Sequence, residues 1–341
     1  MTSEPRRYGV LLPHFGGYAT RQRIVAGARR IEALGFDSLW VRDHVVYHPY
    51  AFEDPDPTHL DALVVLGAIA AATDRLILAT GALIPHRHPI HLANAIASLD
   101  RLAGPGRLLI GMGLGAWQHE FDALGLGHFD RKALFAEQIA ILRALWTGRP
   151  VDHDGAHYRF TGVDVHPEPV GHVPIWACGA TMSAARRAVD LCDGWLPRMP
   201  TRDLRARVRR LRSLAQKAGR AVPSVGALPF VVPARTTDVA LRYIDATFLR
   251  AMTSEADRRW TRPASGAFET ADDLDGVLLY GDPERVIAGV RRLHEAGATH
   301  IVFDLRLRFA DFDEVVTLIG EHVLPELRRA DSTIEEAARD A

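Results

Sequence analysis

The sequence predicts an α/β protein with the architecture of a (β/α)8 TIM barrel. Short apolar segments alternate with helical patterns along most of the 341 residues. Eight of these segments lack a strict alternation of apolar and polar residues, which is typical of parallel strands buried on both faces. The length accommodates a barrel of about 250 residues together with insertions. A doubly wound open sheet is the alternative, and the count of eight strands argues against it.

The predicted elements follow one another in the order that a barrel requires. The eight strands are residues 8–12, 38–41, 76–80, 108–111, 174–178, 194–196, 224–229 and 300–305. A helix that Thr20 caps and Gly35 ends follows the first strand. Further helices are predicted over residues 58–72, 90–102, 131–146, 183–191, 204–218, 283–296 and 313–327.

Three segments exceed the minimal barrel plan. Residues 112–130 form a long loop after strand four, and residues 151–173 predict a small hairpin before strand five. Residues 230–280, after strand seven, are expected to form a lid over the substrate, with a helix near 238–252 and a polar, mobile part near 253–271. The whole is interpreted as a single domain over residues 1–330. Residues 331–341 are expected to be a polar tail, either solvated or a frayed helix.

Composition excludes several classes of partner. The formal net charge of −1 provides no overall field to attract nucleic acid or an anionic membrane. The sequence contains no apolar run of the roughly 20 residues that span a bilayer, and its N-terminus does not resemble a signal peptide. The two cysteines, Cys178 and Cys192, are too few for a disulfide framework. A cytoplasmic protein acting on a small molecule, without nucleic acid or membrane as a partner, is therefore expected.

Polar or glycine-rich loops follow several predicted strands, where the active sites of barrels are built. His44 follows strand two, and a histidine there can exchange a proton near neutral pH, although it can also be a structural residue bonded to a backbone carbonyl. Residues 178–188 combine a glycine with the start of a helix, which favours anion binding. The sequence lacks the motifs GxSxG, CxxC and HExxH and a Walker loop, so it offers little support for a hydrolase or an NTPase.

Several segments, in their order and spacing, resemble one enzyme family. They include residues 8–16 (YGVLLPHFG), 34–44 (LGFDSLWVRDH) and 80–115 (TGALIPHRHPIHLANAIASLDRLAGPGRLLIGMGLG), and further segments match at 145–160, 174–197 and 281–305. The chain resembles the luciferase-like flavin and deazaflavin oxidoreductases, the superfamily of bacterial luciferase, over roughly residues 7–230 and 280–328. The likeness is strongest to the branch that uses coenzyme F420. It implies a barrel, a flavin-type cofactor at the C-terminal mouth, and a homodimer.

The resemblance also implies a role for individual residues. His44 is expected to face the deazaflavin ring as the catalytic group, with Asp43 either orienting it or acting as a structural anchor. A non-prolyl cis peptide bond is expected at Gly81–Ala82, where it supports the central ring. The loop carrying Gly113 and Gly115 is expected to approach the ribityl chain. The cofactor phosphate is expected at the loop after strand five, formed by Cys178, Gly179, Ala180 and Thr181. Arg198, after strand six, is expected to supply the counter-charge. For Arg187, a solvated helix face is the preferred interpretation.

At two positions the sequence differs from the family pattern, and one of these differences argues against a particular activity. Ala116 stands where the sugar-phosphate dehydrogenases of the F420 branch carry a catalytic glutamate, which argues against sugar-phosphate oxidation. His48 stands where those enzymes carry an active-site tryptophan. Glu120 is expected to form a salt bridge rather than to do chemistry. The histidine-rich stretch at His86, His88 and His91 lacks supporting ligands at metal-binding spacing, so no metal is expected.

The function that these observations favour is an F420-dependent oxidoreductase. It would transfer a hydride between the deazaflavin and a small organic substrate. The first alternative is an FMN-dependent monooxygenase on the same fold. The second is a non-catalytic flavin-binding protein, for which the absence of the glutamate at Ala116 gives some support.

Overall fold

The structure, a computed structural model, describes residues 4–339. Within these residues eight parallel strands close into a barrel, which confirms the predicted (β/α)8 fold. Going once around the barrel, each strand pairs with the next, and the last pairs with the first. The strands in this order are β1 (Arg7–Leu11), β2 (Ser38–Val41), β3 (Ile77–Leu83), β4 (Leu108–Met112), β7 (Ile175–Cys178), β8 (Gly194–Leu196), β9 (Ser224–Ala227) and β12 (His300–Phe303).

The helices lie between the strands, and their caps explain where they begin. Thr20 caps the first helix by accepting a hydrogen bond from the amide of Arg23, as predicted. The predicted helix at 58–72 begins later, because Asp61 caps it through the amides of Leu63 and Val64. The helices are α1 (Arg21–Ala33), α2 (Ala62–Ala70), α3 (Pro89–Ala103), α4 (Gln118–Ala123), α5 (Arg131–Leu145), α6 (Met182–Leu191), α7 (Thr201–Lys217), α8 (Thr237–Leu241), α9 (Ala246–Arg259), α10 (Pro283–Glu295), α11 (Phe312–Leu318) and α12 (Leu324–Arg339).

Strand β3 is longer than predicted and is irregular at its C-terminal end. The peptide bond Gly81–Ala82 is cis, which confirms the expectation from the family resemblance. The register between β3 and β4 shifts between Thr80 and Leu83, so the strand bulges there. The bulge places Gly81 and Ala82 at the C-terminal end of the barrel.

The inserted segments are more structured than the sequence indicated. Residues 151–173 contain the predicted hairpin, formed by β5 (Val151–Asp154) and β6 (Arg159–Val163). Helix α4 within the loop 112–130 was not predicted. The two ends of the insertion 230–280 pair as parallel strands, β10 (Phe230–Pro233) and β11 (Leu278–Gly281). Helix α9 continues to Arg259, so the part expected to be polar and mobile begins within a helix and not, as its composition indicated, after one.

The insertion has a small apolar core of its own. Phe230, Phe248, Phe268 and Leu274 are each at most 3% exposed and belong to a cluster separate from the barrel core. These apolar residues explain why the segment folds against the barrel.

Of the two forms expected for residues 331–341, a solvated tail or a helix, the structure shows the helix as far as residue 339, because α12 continues to Arg339. Asp331 accepts hydrogen bonds from Arg6 at 2.7 Å and from the hydroxyl of Tyr8 at 2.6 Å. This contact ties the C-terminal helix to the N-terminal end of the barrel. Residues 340 and 341 lie outside the described residues. None of the described helices is long and apolar enough to cross a membrane.

Candidate functional site

A cavity of about 560 Å³ opens at the C-terminal end of the barrel strands. Its walls come from the loops after β2, β3, β4, β7 and β8 and from the insertion. All the site residues predicted from the sequence line this cavity: Asp43, His44, Gly81, Ala82, Gly113, Gly115, Cys178, Gly179, Ala180, Thr181 and Arg198. The barrel thus brings together residues that are up to 155 positions apart, counted from Asp43 to Arg198.

Glu120, which is fully buried, positions the histidine of the cavity. Its Oε2 lies 3.3 Å from Nδ1 of His44, and its Oε1 accepts hydrogen bonds from the amides of Val45 at 2.6 Å and Val46 at 3.3 Å. Burial raises the pKa of Glu120, but these bonds outweigh burial and the net shift is downward. The carboxylate is therefore ionised at neutral pH and can accept the Nδ1 proton of His44.

Asp43 does not contact His44 through its carboxylate. Its two oxygens accept hydrogen bonds from Arg87, at 2.6 and 2.8 Å, and one of them also accepts from the amide of Ile84 at 3.0 Å. The interpretation of Asp43 as the group that orients His44 is therefore wrong, and its alternative, a structural anchor, matches the contacts. This anchor fixes the loop after β3.

Small residues form one wall of the cavity. Gly81, Ala82, Gly113, Ala116 and Gly179 all line it. A Cβ atom added to Gly113 would lie 3.2 Å from the Cβ of Ala82, tighter than an ordinary van der Waals contact. Because side chains do not project here, the backbone itself is the surface that a flat molecule in the cavity would meet.

The start of α6 forms the polar end of the same wall. Thr181 caps the helix by accepting a hydrogen bond from the amide of Ala184 at 3.1 Å. Arg187 also lines the cavity, donates to Ser183 at 3.0 Å, and has a buried Nε without a hydrogen-bond partner among the described residues. The interpretation of Arg187 as a solvated residue is therefore wrong. Its guanidinium and the helix start together can hold an anion.

Arg198 was predicted to face the cofactor phosphate at the start of α6, but its side chain contacts other residues. Its side chain donates to the carboxylate of Asp304 and, at 2.6 Å, to the carbonyl of Leu228. Arg306 bridges the same Asp304 to Glu53, and Arg42 donates to Glu53 at 2.8 Å. We call Arg42, Arg198, Arg306, Glu53 and Asp304 the arginine cluster. Arg42, Arg198 and Arg306 all line the cavity. The arginine of α6 that lines it is Arg187.

Three aromatic rings continue from this cluster along the cavity. Tyr50 stacks on Phe52 with centroids 5.5 Å apart and lies 5.6 Å from Trp117. His48, at the position where a tryptophan was expected by resemblance, does not belong to the cavity lining but contacts Trp117, with ring centroids 6.1 Å apart. An aromatic side chain from the loop after β4 therefore lines the cavity here.

A family model described as luciferase-like monooxygenase matches residues 7–300. The chain belongs to the luciferase-like monooxygenase family. It is similar to a protein of Nakamurella multipartita named F420-dependent glucose-6-phosphate dehydrogenase, at 29% identity over 96% of this chain and 98% of the relative. A protein of Beutenbergia cavernae with the same name is 31% identical over 87% of this chain and 90% of its own length. These are names of redox enzymes, and this luciferase-like chain is an oxidoreductase.

Solved structures share the fold at lower identity. An F420-dependent secondary alcohol dehydrogenase in complex with an F420–acetone adduct is 19% identical, with a TM-score of 0.74 over 94% of this chain and 98% of that one. The oxygenating constituent of 3,6-diketocamphane monooxygenase from Pseudomonas putida, in complex with FMN, is also 19% identical, with a TM-score of 0.75 over 94% and 99%. Both likenesses bear on the fold alone.

The histidine-rich stretch of this luciferase-like chain has structural contacts. His86 lies 3.7 Å from Asp43, and His88 caps α3 through the amide of Ile90 at 3.3 Å. Within the part of the chain that the structure describes, no group of three or more histidine, cysteine or acidic residues is placed to hold a metal ion. Burial raises the pKa of Cys178, which keeps the residue a thiol in the cavity wall.

Sequence reasoning missed Arg42 and Arg306 as cavity residues. A signal was present, because Arg42, Arg198 and Arg306 each stand one to three positions after a barrel strand, and parallel strands of a barrel end on the same side. It also missed how much α9 contributes. Met252, Glu255, Ala256 and Arg259 line the cavity, and the polar surface of this helix gave no pattern that assigns them to it.

Proposed function

We propose that this chain binds coenzyme F420 in the cavity and transfers a hydride between this deazaflavin and a small organic substrate. The observation that carries the proposal is the convergence of His44, Ala82, Gly113 and Gly179, which follow or end four different strands, on one cavity. Relatives named as F420-dependent enzymes, similar over nearly the whole chain, support the choice of cofactor.

The residues present fit such a cofactor. The wall of small residues leaves room for a flat tricyclic ring against the backbone of Gly81, Ala82 and Gly113. In that position Gly115 would lie beside the ribityl chain. The start of α6, with Thr181 and the guanidinium of Arg187, offers donors for the phosphate. Cys178, Gly179 and Ala180 would complete this phosphate loop, and Asp43 would act indirectly by fixing the loop after β3.

The chain supplies a proton-transfer group and a dry surface. When bound, the deazaflavin provides the carbon that accepts or gives up the hydride. With Nδ1 of His44 directed to Glu120, Nε2 is the ring nitrogen that can hold or accept a proton at the substrate. Tyr50, Trp117 and Phe230 cover the site with apolar surface, which excludes water from the transfer.

Titration of the purified protein with F420 and with FMN, followed by fluorescence, tests the cofactor. We expect saturable binding of F420. The variant G113L should lose this binding, because its side chain would enter the cavity beside Ala82. The variant G67L is the matched control, since a Cβ at Gly67 in α2 has no neighbour within 4 Å. Circular dichroism should show that both variants remain folded.

An FMN-dependent monooxygenase is the second candidate. The description of the matching family as luciferase-like monooxygenase favours it. Tight binding of FMN together with no binding of F420 would establish this candidate in place of the first.

We also propose that the protein is a cytoplasmic homodimer. Analytical ultracentrifugation of the purified protein tests the dimer. A mass near twice the 37.6 kDa of one chain is the expected result, and a single-chain mass at all concentrations would contradict it.

A further inference from the structure

The arginine cluster carries more positive than negative charge. It contains three guanidinium groups, of Arg42, Arg198 and Arg306, and two carboxylates, of Glu53 and Asp304. Burial raises the pKa of Glu53, but the charges of Arg306 and Arg42 outweigh burial and hold it at about 2. Burial also raises the pKa of Asp304, but the charges of Arg306 and Arg198 outweigh burial and keep it below its usual range. Both carboxylates are ionised at neutral pH, so the cluster keeps one net positive charge.

This charge is largely removed from solvent and faces the cavity. The side chains of Arg42 and Arg306 are 9% and 6% exposed, and those of Glu53 and Asp304 are 2% and 0% exposed. A buried charge is stable where it has a partner of opposite sign. Each carboxylate here already serves two arginines, which leaves one guanidinium charge for a ligand in the cavity to neutralise.

Arg42 is the arginine with the most hydrogen-bonding capacity left. Its side chain donates only to Glu53 among the described residues, whereas Arg306 uses three nitrogens on Asp304 and Glu53. Its guanidinium lies 4.7 Å from the ring centroid of Phe15 and 5.9 Å from that of Tyr50. These rings hold the group in place, and its free donors suit a bidentate oxyanion.

The cluster is adjacent to both the aromatic surface and the histidine. The guanidinium of Arg198 lies 3.9 Å from the centroid of Phe230, which is followed by Phe52, Tyr50 and Trp117, each within 6.0 Å of the one before it. Tyr47 donates to Glu53 at 2.5 Å, and its ring lies 5.7 Å from that of His44. A ligand can therefore place an anionic group on the cluster, an apolar body on the rings and its reacting atom near His44.

From this arrangement we infer that the substrate of the proposed oxidoreductase is an organic anion, a carboxylate attached to an apolar body, which the arginine cluster binds. The inference rests on the proposed function, because it assigns the rest of the cavity to the cofactor. A second source of the same oxyanion chemistry is the cofactor itself, through its phosphate and its terminal carboxylates. The experiment must distinguish the two.

Isothermal titration of the F420-saturated protein with benzoate and with benzamide tests the inference. These probes have nearly the same shape and differ in charge. We expect benzoate to bind and benzamide to bind at least about tenfold more weakly, since a hydrogen bond to a charged group raises a binding constant by about 10- to 100-fold. The variant R42Q should weaken benzoate binding by about 10- to 100-fold and leave benzamide unchanged. The variant R42K, which keeps the charge, should restore part of the affinity.

Control experiments distinguish a failure of this inference from a failure of the proposed F420-dependent function. The variant R159Q removes an arginine from an exposed ion pair with Asp154 in the distant hairpin and should bind benzoate normally. If benzoate binds the F420-free protein but not the F420-saturated protein, or if R42Q weakens F420 but not the phosphate-free deazaflavin FO, the cluster binds the cofactor and the inference is wrong. Equal binding of benzoate and benzamide would also overturn it, while intact F420 binding would leave the proposed function standing. If R42Q does not fold, the probe comparison on the unmodified protein and on R198K decides.

Discussion

The buried carboxylate of Glu120 accepts hydrogen bonds from three donors, so replacing this residue should lower the stability of the fold. In the variant E120A the amides of Val45 and Val46 and Nδ1 of His44 lose their acceptor. We expect a loss of about 1–3 kcal/mol in the free energy of unfolding for unsatisfied buried donors. The variant E120Q keeps an acceptor oxygen and should lose less. Urea denaturation measures both, and equal stability of E120A and the unmodified protein would contradict the assigned contacts.

Arg187 and Arg186 are neighbours in sequence with different surroundings, which makes them a matched pair. Arg187 lines the cavity, whereas Arg186 is exposed and pairs with Asp190 at 3.5 Å. If Arg187 binds the cofactor phosphate, R187Q should weaken F420 binding about tenfold and leave the phosphate-free FO unaffected. R186Q should change neither. Fluorescence titration measures all four affinities, and an equal effect of R187Q on F420 and FO would exclude a phosphate contact.

At the scale of elements, α9 is the part of the cavity wall with the weakest attachment. Among its residues only Phe248 and Ala256 are buried, so its opening should require little free energy. Met252, Glu255 and Ala256 face the cavity. We expect F420 to slow amide hydrogen exchange in α9 by about tenfold or more and to leave α3, on the outside of the barrel, unchanged. Mass-spectrometric exchange with and without cofactor measures this, and equal protection of α3 would show a global effect instead.

Helix α12 is anchored through Asp331, so a truncation should have an abrupt effect at that residue. A chain ending at residue 330 loses the acceptor for Arg6 and for the buried hydroxyl of Tyr8. We expect it to be less stable than a chain ending at residue 333 by about 1–3 kcal/mol, because the hydroxyl loses its charged partner. Chemical denaturation of the two truncated chains measures the difference. Equal stabilities would mean that Asp331 contributes nothing, and F420 binding should be the same in both.

At the scale of the whole molecule, the sequence was sufficient where one local pattern determines the structure. The eight barrel strands are short apolar segments, and each was found within a few residues because burial on both faces leaves the same pattern in each. The site residues follow the ends of those strands, so knowing the fold was nearly enough to bring His44, Ala82, Gly113 and Gly179 together.

What could not be predicted depends on contacts between distant segments. The polar sequence of residues 331–339 fits either a solvated tail or a helix, and the ion pair of Asp331 with Arg6, 325 residues away, which holds the helix in place, has no local signal. Strands β10 and β11 are separated by the whole insertion and are only four residues each. The choice between the two roles of Asp43 could not be made from the sequence, because which carboxylate reaches His44 depends on the path of the loop after β4, which carries Glu120.

Buried histidines determine how the whole fold responds to acid. Burial is the largest cause that lowers the pKa of His14 and His294 to about 4, that of His300 to about 3 and that of His59 to about 2, from a normal value of 6.5. As the pH falls below 6.5, the unfolded chain binds protons at these rings, whereas the folded chain does so only near pH 4. Stability is therefore fully present above pH 6.5 and is lost as the pH falls. We expect the free energy of unfolding to be about 5 kcal/mol lower at about pH 5.5 than at about pH 7.5.

Urea denaturation at the two pH values measures this loss, and one substitution identifies its source. Nδ1 of His294 donates a hydrogen bond to the carbonyl of Ala298 at 2.8 Å, and its Nε2 lies 3.2 Å from the hydroxyl of Tyr8. A glutamine can keep a polar contact there without titrating. The variant H294Q should lose about one quarter less stability between the two pH values, because one of about four protons is no longer taken up on unfolding. The variant H166Q, at a histidine whose side chain is 58% exposed, should behave like the unmodified protein. A loss that begins only below about pH 4.5 would point to carboxylates instead of histidines, because carboxyl groups titrate in that range.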